Sequence, residues 1–230
     1  MNKTIYGIIA LISISAGAVG FHLMTQTKQM LPPEYALHYK QARPISAFTL
    51  TDELGQPFNN TQLLDKWSLV FFGYTSCPDV CPTTLQNLNF IYEDITAIAD
   101  NSQVLLVSVD PKRDTTEKLE QYIGYFNPNF KALRAEHDVL FPFSRNLGLM
   151  YAITSKEASK EASKEASKGE VDVPVGDENY WVDHSASLVL INPEGKISAI
   201  FRPEQAVGKV PSIDNDKLLS DYQKIVALYQ

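Results

Sequence analysis

Cys77 and Cys81 are the only two cysteines of the chain, and they stand four residues apart in Phe71-Phe72-Gly73-Tyr74-Thr75-Ser76-Cys77-Pro78-Asp79-Val80-Cys81-Pro82. Two thiols at this spacing lie on one side of a first helical turn where that turn is formed. They can close a disulfide or hold a soft metal ion between two thiolates. A structural disulfide gains most from closing a long loop, so a ring this small stabilises little and points to chemistry instead. A helix N-terminus also favours the thiolate over the thiol. Thioredoxin-type redox motifs have two residues between the cysteines. The three here still permit a disulfide and leave room for a metal with a third ligand.

That third donor is best sought among the histidines, since imidazole accompanies thiolate in copper and zinc sites. The chain has four histidines. His22 and His38 fall in or near an N-terminal anchor and tether. His137 sits between Glu136 and Asp138 and reads as a solvated helix end. His184, in Tyr180-Trp181-Val182-Asp183-His184-Ser185-Ala186, is the candidate ligand. From composition alone a surface or core role is more common for a lone histidine.

The elements that must position these groups are legible as alternating patterns. The apolar run Ser68 to Tyr74 predicts a buried strand, and Leu85, Leu88, Tyr92 and Ile95 predict a helix from Pro82 to Ala99. A second strand, Val104 to Val109, stops at Asp110-Pro111, since proline cannot donate to the ladder. Asp114 to Glu117 has the form of a capping box before a helix carrying Leu119, Tyr122, Ile123 and Phe126. A short strand Lys131 to Arg134 and a helix His137 to Leu147, ended by Gly148, come next. Ser187 to Ile191, a turn at Asn192-Pro193-Glu194-Gly195, and Ile197 to Phe201 form a hairpin. Asp214 to Tyr229 closes the chain as an amphipathic helix. Ile45 to Leu50 reads as a short strand, Leu54 to Phe58 as a turn, and Thr61 to Asp65 as one helical turn. The alternation argues for an α/β fold.

The net charge of −7 and the absence of a basic patch exclude nucleic acid as a natural partner. Ile5 to Met24 contains no Asp, Glu, Lys or Arg and is long enough to span a bilayer. Lys3 before it favours an inside amino terminus. The alternative is a cleaved signal peptide ending at Ala16-Gly17-Ala18. Either way the main domain is exported to a compartment where disulfides form, such as a bacterial periplasm. The expected organisation is an anchor or signal over 1–24, a tether over 25–41 extending in composition to residue 44, and a domain over 42–230. A Ser-Lys-Glu-Ala repeat over 155–168 has no apolar stripe. It reads as a surface insertion reaching about Glu178.

Three blocks in this order resemble the Sco/SenC family: Phe72 to Pro82 around the cysteines, Val109-Asp110-Pro111-Lys112-Arg113-Asp114-Thr115, and Val182-Asp183-His184-Ser185. The resemblance covers about residues 42 to 230, and its cysteine block is the most specific part. It implies a thioredoxin-like fold behind an N-terminal transmembrane helix, with a short additional strand pair near the amino end of the domain. It implies copper, as Cu(I) and Cu(II), held by Cys77, Cys81 and His184. The family's membrane-anchored members assist cytochrome c oxidase assembly. The implied partners are therefore the oxidase copper-site subunit, another copper carrier or thioredoxin-like reductant, and the inner membrane, with the domain on the periplasmic side. A reductase of the oxidase cysteines uses the same Cys77 and Cys81 pair and is the main rival. A peroxidase fits the cysteine spacing poorly, and a copper sensor needs a partner surface the sequence does not reveal. Asp114 reads as a helix cap. Asp110 divides evenly between ending its strand and supporting the cysteine loop, and Tyr74 and Trp181 read as packing.

Overall fold

The computed structural model describes residues 31–155, 180–205, 208 and 210–229, together with residues 13, 15, 17 and 18. The chain divides into two units, Met1–Pro32 and Pro33–Gln230. In the first, the four described positions ahead of residue 31 are helical. The rest of the expected span Ile5 to Met24 lies outside the described residues, as does the insertion beyond Ser155. Among the described residues no helix is long and apolar enough to cross a membrane.

The second unit is built on the strand expected before the cysteines. β4 (Trp67–Gly73) is buried at every position, in keeping with its largely apolar sequence. It pairs in parallel with β5 (Ser102–Ser108) residue for residue, and β5 pairs in parallel with β6 (Lys131–Arg134). On its other side β4 runs antiparallel to β9 (Leu188–Ile191), with Phe71 opposite Leu188. β10 (Lys196–Phe201) follows β9 through the expected turn. There the Lys196 amide donates to Asn192 Oδ1 at 2.9 Å and Gly195 adopts φ 70°. β1 (Leu37–Pro44), β2 (Thr49–Asp52) and β3 (Pro57–Asn59) complete an eight-stranded sheet of order β1-β10-β9-β4-β5-β6-β2-β3. The β2–β3 hairpin is the additional strand pair near the amino end that the resemblance implied.

Parallel strands need crossovers, and helices supply them. α1 (Val80–Phe90) and α2 (Tyr92–Ile98) divide the single helix expected over 82–99. The break falls at Ile91, whose φ of −102° and ψ of 10° leave the helical region. Leu85, Leu88, Ile91 and Ile95 are nonetheless all buried. α3 (Thr116–Phe126) buries Leu119 and Ile123. α4 (His137–Leu147) has the expected bounds and ends at Gly148 with φ 82°. α5 (Asn215–Tyr229) buries Leu218, Tyr222, Ile225 and Val226.

Further stretches correct the sequence reading: β2 begins at Thr49, so Ile45 to Phe48 are not strand, and Pro57 and Phe58 of the expected turn belong to β3. Residues 37–44, expected as tether, form β1 and pair antiparallel with β10. The preceding residues are tied down too: the amides of Tyr35 and Ala36 donate to Asp221 of α5 at 2.6 and 2.8 Å. Flanking the insertion, β7 (Tyr151–Ser155) and β8 (Tyr180–His184) form a separate two-stranded antiparallel sheet. Ser155 thus belongs to a strand, not to the insertion, and His184 ends the strand paired with it, opposite Tyr151.

Candidate metal centre

β4 ends at Gly73, and the chain leaves the sheet through a turn in which the Cys77 amide donates to the Tyr74 carbonyl at 3.2 Å. Cys77 precedes the helix and Cys81 is its second residue, so the two do not share a helical turn as expected. Instead the Cys81 amide, one of the unpaired donors of the helix N-terminus, points at Cys77 Sγ from 3.4 Å. Cys81 is fully buried and Cys77 half-buried.

His184 reaches them because of strand register. Phe71 opposite Leu188 places the residues before β9 just past the end of β4, where the cysteine loop begins. His184 Nε2 lies 3.4 Å from Cys81 Sγ and 3.9 Å from Cys77 Sγ. The ring stands edge-on to Phe71 and Tyr74, at 6.0 and 5.7 Å between centroids. Its Nδ1 is 3.4 Å from the Ser185 carbonyl, and Nε2 faces the two sulfurs. One donor atom from each of Cys77, Cys81 and His184 falls within 4.8 Å of the others. Among the described residues this is the one such cluster of His, Cys, Asp and Glu.

The two thiols differ sharply. Hydrogen bonding from the Cys81 thiol, opposed by burial and helped by His184 and the Cys81 and Asp79 amides, lowers Cys77 to about 4. Burial, and its role as donor to that thiolate, push Cys81 up. The reduced, metal-free protein is therefore expected to carry one thiolate at neutral pH. Its ultraviolet thiolate absorbance should titrate with a midpoint near 4. The stabilisation the fold gives this thiolate is complete above the ordinary thiol range and is lost as pH falls through about 4. Two thiols titrating together at about 8.5 would contradict this.

The loop after β5 supports both ligand segments. Asp114 is fully buried and does not cap α3. Thr115 does, accepting from the Lys118 amide at 3.3 Å. The Asp114 carboxylate instead accepts from the Thr75 amide at 3.1 Å, the Thr75 hydroxyl at 2.6 Å and the Ser108 hydroxyl at 2.6 Å. It thereby anchors the cysteine loop to β5. Asp110, also buried, accepts from Arg113 Nε and from the hydroxyl of Tyr180 at the start of β8. The even reading of Asp110 resolves toward support, through the histidine strand and not the cysteine loop. Tyr74 is buried against the site, and Trp181 is half-exposed on β8.

The other histidines lie elsewhere. His38 is on β1 opposite Ala199. His137 is not a solvated helix end: it is half-buried, within 2.9 Å of the Tyr151 hydroxyl, and desolvation lowers its pKa. His22 is outside the described residues. Sequence reasoning missed Gly73, where a Cβ would meet Cys81 Sγ and a Phe71 ring carbon at 2.9 Å and Leu106 Cδ1 at 3.0 Å. A glycine directly ahead of a cysteine loop was the available signal.

The sequence model of the SCO1/SenC family matches residues 38–213. The chain belongs to the SCO1/SenC family. An SCO2-like protein of Rickettsia typhi is 31% identical over 199 residues, covering 85% of this chain and 90% of that one. Among solved structures, apo Sco1 of Thermus thermophilus is 30% identical with a TM-score of 0.61, covering 82% of this chain and 95% of that one. Yeast Sco1 with copper bound is 28% identical with a TM-score of 0.50, covering 70% and 80%. The family's thioredoxin-like α/β fold is thus the fold of this chain. The matched stretch contains all three donor residues and the β7–β8 pair that carries His184.

Proposed function

We propose that this protein is a copper metallochaperone that holds copper through Cys77, Cys81 and His184 and delivers it to the binuclear copper site of cytochrome c oxidase. The supporting observation is the convergence of one imidazole nitrogen and two sulfurs, from two distant segments, within 4.8 Å. The donor set suits the cargo: thiolates favour Cu(I), and an imidazole lets the same site take Cu(II). The copper-bound yeast relative agrees with this choice of metal. Ile5 to Met24 anchors the protein in a bacterial inner membrane with its domain on the periplasmic side. The 25–41 segment serves as the lead to the domain although its last residues enter β1, and the insertion between β7 and β8 follows Ser155. The oxidase copper-site subunit is the acceptor, and another copper carrier or a thioredoxin-like reductant acts upstream.

A second reading is favoured by the unequal thiols. A thiolate at Cys77 beside a protonated Cys81 suits attack on a partner's disulfide, followed by release of the reduced partner as Cys81 closes onto Cys77. Two measurements separate the roles. Metal binding needs both cysteines as thiolates, so the Cys77–Cys81 disulfide form is expected to hold copper at least about a hundredfold more weakly than the dithiol. Equal affinity of the two forms would contradict delivery coupled to oxidation. A His184→Ala variant should keep disulfide reductase activity and lose Cu(II) retention. Loss of reductase activity with copper retained would reverse the assignment.

A further inference from the structure

Tyr180 begins the strand that His184 ends, and its surroundings contain one side chain with no role so far. The Arg113 guanidinium lies 4.0 Å from the centroid of the Tyr180 ring and 5.6 Å from that of Tyr74. Arg113 Nε donates to Asp110, which accepts the Tyr180 hydroxyl through its other oxygen. Arg113 Nη2 is buried with no acceptor among the described residues, so the group is held by ring faces and one carboxylate. Tyr74 in turn stands edge-on to the His184 ring. A planar cation between two rings thus links the end of β4, which leads into the cysteine loop, to the start of β8, which carries the histidine. Among the described residues β8 pairs with β7 in a sheet separate from the main one. Its side-chain contacts must therefore supply what sheet pairing does not.

We propose that Arg113 is a positioning residue for His184. It fixes β8 against the cysteine loop so that the imidazole is presented to both sulfurs. Its purpose rests on the copper reading above, but its geometry does not. A guanidinium suits the task because it can stack on rings while its Nε–H remains in plane for a carboxylate. Loss of the link frees the histidine arm and leaves the two sulfurs where Asp114 and the helix hold them. Arg113 thereby acts on imidazole-dependent binding of Cu(II) and hardly on dithiolate binding of Cu(I).

The test uses the reduced full chain with Arg113→Met and Arg113→Lys. In the metal-free state, amide hydrogen exchange over 180–184 is expected to quicken about tenfold in Arg113→Met, with β4 and β5 unchanged. The Cu(II) dissociation constant should rise about tenfold, with the Cu(I) constant within about threefold of wild type. Arg113→Lys, which keeps a cation at the rings, should recover part of both effects. Unchanged exchange over 180–184 would overturn the proposal. So would uniform acceleration across β4, β5 and β8 with Cu(I) and Cu(II) weakened alike, which marks general destabilisation. If wild type binds no copper the delivery reading fails, and the exchange comparison still decides the role of Arg113, because it needs no metal.

Discussion

Asp114→Ala is expected to destabilise the domain by about 3 kcal/mol and to release the cysteine loop. The carboxylate is fully buried and accepts three hydrogen bonds, two from Thr75 and one from Ser108. The hydroxyls can turn toward other acceptors, but the Thr75 amide cannot, and an orphaned buried donor costs about 1–3 kcal/mol by itself. Lys118 Nζ, 3.9 Å away and partly exposed, adds little to the carboxylate's worth. Thermal unfolding should show a loss of roughly 6–12 °C. Copper affinity should fall as well, because Thr75 is two residues from Cys77. Asp114→Asn, which keeps the shape but turns one acceptor into a donor, should cost about 2 kcal/mol. A wild-type melting temperature for Asp114→Ala would mean that the carboxylate is not the anchor of this loop.

The second large effect is at Gly73. An added Cβ would stand 2.9 Å from Cys81 Sγ and from a Phe71 ring carbon, and 3.0 Å from Leu106 Cδ1. Phe71, Leu106 and Cys81 are all fully buried, so none can swing into solvent. Overpacking of this kind costs about 1–3 kcal/mol, and Gly73→Ala is expected at the upper end. Relief comes most readily by moving the Cys81 side chain, the one ligand held from the helix side. Copper affinity should therefore drop by about tenfold or more even in the molecules that remain folded. Gly124→Ala on α3 is the control, because nothing lies within 4 Å of its added Cβ. It should gain about 0.5–1 kcal/mol from helix propensity. If Gly73→Ala binds copper as wild type does, Cys81 is not confined by the end of β4.

Much of this arrangement is legible in the sequence. The apolar stretches of β4 and β5 were legible as strands because Leu69 to Phe72 and Val104 to Val107 are buried on both faces of the sheet. β6 and α4 have the expected bounds, and α4 ends where Gly148 takes up the left-handed conformation. β1 escaped notice for a physical reason. Leu37-His38-Tyr39-Lys40-Gln41-Ala42-Arg43-Pro44 is exposed or half-exposed throughout and joins the sheet edge through its backbone, leaving no alternation to read. β7 and β8 were hidden by the insertion between them, which separates partners that a hairpin would join closely. Asp114 was masked by its neighbour. Asp114-Thr115-Thr116-Glu117 satisfies a capping pattern, yet Thr115 makes the cap and frees the acid for a contact 39 residues away in sequence. Arg113 stood inside the second block of the resemblance but received no role there, since Tyr74 and Tyr180 meet it only in the folded chain.

The central claim is that two sulfurs and one imidazole form a single copper site. Its most direct test is the copper stoichiometry and Cu(II) spectrum of the reduced full chain beside His184→Ala and Cys77→Ala. The expected result is one copper per wild-type chain, a thiolate charge-transfer band with nitrogen hyperfine structure, and clearly weakened Cu(II) retention in both variants. Wild-type protein that is reduced and folded but holds no copper, or His184→Ala protein with an unchanged Cu(II) spectrum and affinity, would contradict it.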